Sequence, residues 1–286
     1  MQLNQPGATV FIPDAAEPDI ALARVTHLGV GAHQDDLEIM AYHGIAECFH
    51  NPSGWFAGIT CTDGAGSPRA GAYAVYSDEQ MRGVRKHEQN KAAMLGEYSA
   101  MVQLDYPSSE VKVPPRTGLE DDLERLLRSM QPQVIYTHNP ADRHDTHVGV
   151  TLSLIGAIRR MPADQRPRTV YGCEVWLDLD WLLDADKIAL DVSAHEGLAA
   201  ALVGVFDSQV AGGKRYDLAT LGRRRANATY YQSHQIDMAD QLWFAMDLSP
   251  LAHDDGLDVI EYVGSLLDRF RQDVRERLET CCGRGD

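Results

Sequence analysis

Leu28-Gly-Val-Gly-Ala-His33-Gln-Asp35-Asp36-Leu-Glu38 reads as a strand that runs into a helix. A short apolar run stops at a histidine and two adjacent aspartates, and Ile39-Met-Ala-Tyr-His-Gly-Ile45 then carries apolar residues at helical spacing. This order puts His33, Asp35 and Asp36 at the carboxyl end of a buried strand, where open α/β sheets bind their ligands. His33 and Asp36 are three apart across the turn, so both side chains can reach one point, and imidazole with carboxylate suits zinc. Two ligands do not make a site, so a third must come from elsewhere.

Tyr136-Thr-His138-Asn-Pro-Ala-Asp142-Arg-His144-Asp-Thr-His147 is the best candidate. It follows another strand-like run, Gln133-Val-Ile-Tyr136, and opens another helix, Val148-Gly-Val-Thr-Leu-Ser-Leu-Ile155. A lone histidine is more often a core or surface residue than a ligand. Two His/Asp clusters, both at strand-to-helix turns, point instead to a metal site.

These two stretches carry a specific resemblance. His33-Gln-Asp35-Asp36 resembles the His-Pro-Asp-Asp signature of the PIG-L/LmbE-like zinc deacetylases. The stretch from His138 to His147 is similar to that family's second signature, His-x-Pro-x-Asp-x-His-x-Asp-His. Thr62-Asp-Gly64 between them fits as well, and the resemblance covers roughly residues 25–208. Such enzymes remove the acetyl group from N-acetylglucosaminyl conjugates, as in bacillithiol, mycothiol and glycosylphosphatidylinositol synthesis. The chain departs from the pattern at Gln34, where the family has proline, and at Thr146, where it has aspartate. The first departure costs turn rigidity and little else; the second removes a carboxylate that orients a ligand or tunes the metal.

The resemblance implies one Zn2+ per chain, with Fe2+ able to replace it, on His33, Asp36 and His147. Asp35, adjacent to a ligand but outside the metal shell, becomes the general base. His144 becomes the group that stabilises the oxyanion, as an imidazolium held by Asp142. His138 orients the loop or a ligand. Asp63 and Gly64 in the glycine-rich turn, and Arg69 in a flap over residues 66–76, are the candidates for binding substrate. Other origins for the acidic residues are helix caps for Asp35 and Asp145, and a turn role for Asp142. Competing functions are a metal-dependent phosphoesterase or amidase, and a non-catalytic sugar-binding relative.

The whole chain bounds the rest. Its 286 residues, 44% of them apolar, suffice for one large α/β domain. A formal charge of −16 disfavours nucleic acid or an anionic membrane as partner. Arg223-Arg-Arg225, the one dense basic cluster, reads as a solvated helix face. Five scattered cysteines and no basic-then-apolar leader read as a cytoplasmic protein with free thiols. A small sugar conjugate and further copies of the chain are the expected partners.

Along the chain, residues 1–22 read as an irregular arm, 25–32 as the first strand and 36–49 as the first helix. Ser77-Asp-Glu-Gln80 and Thr117-Gly-Leu-Glu120 read as capping boxes. Arg85 and Glu88 read as a structural ion pair on a helix surface, and 105–116 as a loop. Strand and helix alternate four times, which predicts a Rossmann-like, doubly wound, mostly parallel α/β sheet with helices on both faces. Residues 209–286 form C-terminal additions to this single domain of 1–286.

Overall fold

The apolar runs form strands buried on both faces, as a parallel sheet covered by helices requires. The structure, a computed structural model, describes residues 2–232 and 234–284. Its first elements are β1 (Thr9–Phe11), α1 (Pro18–Ala23), β2 (His27–Gly31), α2 (Asp36–Met40), α3 (Tyr42–Cys48), β3 (Phe56–Thr62) and α4 (Asp78–Leu95). Next come β4 (Ala100–Tyr106), α5 (Ser108–Lys112), α6 (Thr117–Met130), β5 (Val134–His138), α7 (Asp145–Arg159) and β6 (Thr169–Cys173). The chain ends with β7 (Lys187–Asp191), α8 (Glu196–Gly204), α9 (Asp207–Val210), α10 (Tyr216–Tyr230), β8 (Leu242–Asp247), α11 (Ser249–His253) and α12 (Val259–Cys281).

One eight-stranded sheet takes the order β1-β4-β3-β2-β5-β6-β8-β7. The five strands from β4 to β6 in that order are parallel, while β1 and β8 pair antiparallel with their neighbours. Strand order reverses between β2 and β5, which creates a crevice at their carboxyl ends. Alternate strand residues serve two cores. Leu28, Val30, Ile59 and Ile135 join Leu123 of α6 and Leu154 of α7, while Phe56, Met101 and Tyr136 join Ile45 of α3 and Leu202 of α8. The predicted doubly wound sheet is therefore what the chain forms. Gly58 lets α2 settle onto the sheet, because a Cβ there would lie 2.7 Å from Leu37 Cδ1.

Several local readings are corrected. The N-terminal arm contributes β1, whose Val10 pairs with Val102 of β4, and a short helix. The first helix breaks at Ala41 into α2 and α3. Ser77 and Gln80 do form a reciprocal capping box. Thr117 does not, because Arg116 takes the cap position and no side chain bonds there. Part of the 105–116 loop is the helix α5, anchored by buried Val111.

The arginine cluster is corrected most. Arg223 donates to the carbonyls of Val175, Trp176 and Leu177, and only Arg225 is exposed, where it pairs with Glu196. Arg224 is 0% exposed, with its guanidinium 4.4 Å from the Tyr42 ring centroid. The break at Ala41 leaves the Glu38 and Ile39 carbonyls without helical partners, and Arg224 Nη2 donates to them at 2.9 and 3.2 Å. Arg224→Ala strands both carbonyls and opens a cavity, so denaturant titration should show a loss of roughly 2–4 kcal/mol. Arg225→Ala should stay within about 0.5 kcal/mol of the parent.

Candidate metal centre

Strands β2 and β5 lie side by side, with Val30 opposite Thr137, so their carboxyl-end loops share one crevice. His33 Nδ1, Asp36 Oδ2 and His147 Nε2 converge there. Their separations are 3.4 Å from His33 to Asp36, 3.2 Å from His33 to His147 and 3.7 Å from His147 to Asp36. A tetrahedral ion with arms of about 2.1 Å spaces its ligand atoms by about 3.4 Å, so the donor set fits one. Two other triads also bring their ligand atoms within 4.8 Å of one another: His33 with His144 and His147, and Asp36 with His138 and His147. His138 is the weaker candidate, because its Nε2 already accepts the Ala32 amide hydrogen at 2.9 Å. Its ring stacks on His147, with centroids 3.8 Å apart.

Asp142 answers the departure at Thr146 in an unexpected way. Its Oδ2 accepts from His147 Nδ1 at 2.9 Å, and its Oδ1 accepts from the His144 backbone amide at 2.8 Å. It therefore orients His147 and leaves that ring's Nε2 bare toward the crevice, rather than charging the His144 side chain. His144 Nδ1 is buried with no partner, and burial lowers the imidazole's pKa, with the His33 ring adding to the effect. Asp145 is the exposed first residue of α7, and the cap position belongs to His144. Asp142→Ala should weaken Zn2+ binding about 10–100-fold in chelator competition, the usual cost of removing such a carboxylate.

Asp35 turns away from the triangle. Its φ of 105° is left-handed, its side chain caps nothing, and its carboxylate lies 3.1 Å from Arg85 Nη2. Burial pushes its pKa up to about 6, against the pull of Arg85. Arg85 is itself buried and also donates to the Gln34 carbonyl, so the expected surface pair Arg85–Glu88 lies inside the protein. Glu88 accepts from both the amide and the hydroxyl of Ser208 at 2.7 Å. Gln34 does more than loosen the turn, because its Nε2 donates to the Thr62 carbonyl at 3.0 Å and ties β2's end to β3's.

A buried chain of polar groups supports Asp35 from behind. Its amide donates to Gln89 Oε1 at 3.2 Å, and Gln89 Nε2 donates to Glu38 Oε1 at 2.8 Å. The Tyr98 hydroxyl donates to the same Glu38 oxygen at 2.8 Å. Burial pushes Glu38 up to about 7. A carboxyl whose folded pKa exceeds its unfolded value stabilises the fold at low pH and loses that contribution as pH rises through the folded pKa. Between about pH 4.3 and 7, metal-free Glu38→Gln should therefore lose less stability than the parent in denaturant titrations. Equal slopes would show that Glu38 ionises without cost.

The crevice opens into a cleft of about 380 Å³. His33, Asp35, Asp36, His144 and His147 all line it, and so does Gly64, whose φ is +71°. Asp63 and Arg69 do not. The first accepts its own turn's Ala65 amide at 3.0 Å, and the second is held by the Ala65 carbonyl and Asp78. Residues not singled out from the sequence complete the lining, among them Trp176, Gln209 and Tyr216. Arg85, Glu88 and Gln89 did carry a signal, since they interrupt the buried stripe of Met81, Ala92 and Ala93 at helical spacing. No helix of the described residues is long and apolar enough to cross a membrane.

Three solved structures share the fold. The conserved protein TT1542 of Thermus thermophilus superposes with TM-score 0.60 at 18% identity, covering 82% of this chain and 99% of that one. The N,N'-diacetylchitobiose deacetylase of Pyrococcus horikoshii gives 0.58 at 15% identity, with 77% and 83% covered. The 4-carboxy-2-hydroxymuconate hydratase of Pseudomonas putida gives 0.61 at 16% identity, with 78% and 96% covered. No curated protein sequence matches the chain. The family described as PIG-L, GlcNAc-PI de-N-acetylase, matches residues 28–158, the segment that carries both His/Asp turns. The family match supports an N-deacetylase hydrolase, and the solved structures share the fold. Over this segment, a little under half of the chain, the sequence is similar to the PIG-L family.

Proposed function

We propose that the chain removes the acetyl group from an N-acetylglucosamine-type sugar conjugate, using one divalent ion, Zn2+ or Fe2+, on His33, Asp36 and His147. The observation that carries this reading is the triangle of donor atoms with edges of 3.2–3.7 Å, all three residues facing the cleft. An ion bound there supplies an electrophile for the amide oxygen and acidifies water.

The chain's own groups do the rest. Asp35 lines the cleft and is not one of the converging donor atoms, so its carboxylate, although paired with Arg85, can accept a proton from the attacking water. Burial brings its pKa toward neutrality, which lets the same oxygen donate that proton to the departing amine nitrogen. Arg85 keeps enough of it ionised to act as a base. His144, neutral, donates an N–H to the carbonyl oxygen as that atom gains negative charge. Asp142 is a positioning residue, acting through His147.

The hydratase of the same fold suggests a second reading, addition of water to a carbon–carbon double bond. A water-activating carboxylate would serve both reactions. Amine release from N-acetylglucosamine and its conjugates separates them. Wild type should hold one ion and release amine, and EDTA should abolish the activity. Asp35→Ala should keep the ion and lose activity by roughly 10²–10⁴-fold, the usual worth of a general base. An ion-loaded protein that attacks no amide overturns the substrate, and one that binds no ion overturns the centre.

A further inference from the structure

The two edges of the sheet are protected unequally. β1 closes one edge with three residues, and Pro13 follows two positions after its end. β7 closes the other with Lys187-Ile-Ala-Leu-Asp191, five residues without proline, and pairs with β8 in unbroken register. Short strands, prolines and bulges usually keep an edge from recruiting another chain. Apart from its terminal charges, β7 carries none of these devices.

The ladder fixes which groups β7 leaves free. The Val192 amide donates to the Gln241 carbonyl at 3.0 Å, and Asp191 stands opposite Leu242. Hydrogen-bonded pairs alternate along an antiparallel ladder, so Leu190 and Ile188 turn their backbone groups toward β8. Lys187, Ala189 and Asp191 turn theirs outward, and among the described residues no group outside the ladder bonds to them. Side chains alternate as well. Ile188 and Leu190 pack with Leu202 of α8, while Ala189 and Asp191 face a cavity of about 210 Å³ beside Leu242. Ile236 and Met238 line that cavity and are 92% and 85% exposed.

The strand is complementary to itself. Turned antiparallel about Ala189, a second copy sets Ala189 opposite Ala189, Ile188 opposite Leu190 and Lys187 opposite Asp191. Every outward residue then meets an outward residue, which gives about six backbone hydrogen bonds. A shift of one residue would oppose outward groups to inward ones, and a shift of two would give up one of the three pairs. Within its own chain the Lys187 ammonium pairs only with Asp184, at 3.3 Å. Two chains of charge −16 repel each other. A register that opposes lysine to aspartate at both ends, with alanine between, is one they can share.

We propose that β7 pairs antiparallel with β7 of a second copy about a two-fold axis at Ala189, joining the two sheets into one. The interface is isologous, with Ile236 and Met238 flanking it. The pairing is independent of the chemistry in the cleft, and its test reads mass and cross-linking instead of activity.

Sedimentation of the full chain under reducing conditions, from about 1 to 200 µM, should show association in the micromolar range that a small interface supports. Ala189→Pro removes the amides at the axis and spares the ladder to β8, because that N–H points outward. It should weaken association at least about tenfold with the circular dichroism unchanged. Asp191→Lys sets lysine opposite lysine and should weaken it too. Opposed residues of a hydrogen-bonded pair lie about 5.5 Å apart at Cα, a distance that a disulfide spans. In a Cys281→Ser/Cys282→Ser background, Ala189→Cys should therefore form a covalent dimer with copper phenanthroline. Glu17→Cys, exposed at the start of α1, should not. A chain that stays monomeric to about 200 µM, or an assembly of any size that Ala189→Pro leaves intact, overturns the pairing. So does an assembly in which Ala189→Cys fails to cross-link.

Discussion

One buried negative charge organises the centre. Asp36 is 3% exposed, and three imidazoles stand around the same oxygen, His138, His33 and His147, at 3.3, 3.4 and 3.7 Å. The His33 amide donates to that oxygen at 2.7 Å. These partners hold its pKa well below the usual carboxylate range despite burial. Removing a carboxylate from water costs several kcal/mol unless such groups compensate. They can do so only because β2 and β5 are neighbours, which brings residues about a hundred positions apart in sequence to the same point. The strand order is therefore a condition of the chemistry.

The adjacent aspartates take different roles because the backbone between them reverses. A left-handed φ at a non-glycine residue costs on the order of 1–3 kcal/mol and persists where its surroundings fix it. Here the bond from the Asp35 amide to Gln89, the Arg85 pair and the Arg85 contact to Gln34's carbonyl fix it. The result is one carboxylate toward the imidazoles and one toward a guanidinium. A helix running smoothly from residue 34 would have given both a similar environment.

Both strand-to-helix turns, the doubly wound sheet and the family resemblance were legible because their residues are contiguous and patterned. The groups around them were not. Arg85 and Arg224 look like surface cations until the helices that bury them are in place, since a charged residue on a helix is ordinarily solvated. β1 spans three residues and carries no periodic signal. Thr117-Gly-Leu-Glu120 matched a capping box, but Arg116 took the cap and Glu120 turned to pair with Arg160. The spacing of Asp142 and His144 suggested one partner, whereas the turn delivered that carboxylate to His147. Trp176 lies in the connection after β6 and Tyr216 begins α10, both beyond the repeating strand–helix units, where nothing in the local pattern points at the cleft.

The hydrogen bonds from Arg224 to the Glu38 and Ile39 carbonyls have a consequence for how the protein is made. They close a loop of 186 residues between the first motif's helix and α10. A nascent chain that has emerged from the ribosome as far as α7 already contains all the donor atoms of the centre, yet it lacks the guanidinium that satisfies the interrupted helix beside them. The first turn of the centre to be synthesised is thus among the last to be completed. The segment matched by the family, produced alone, would present an α2–α3 break with two unsatisfied carbonyls.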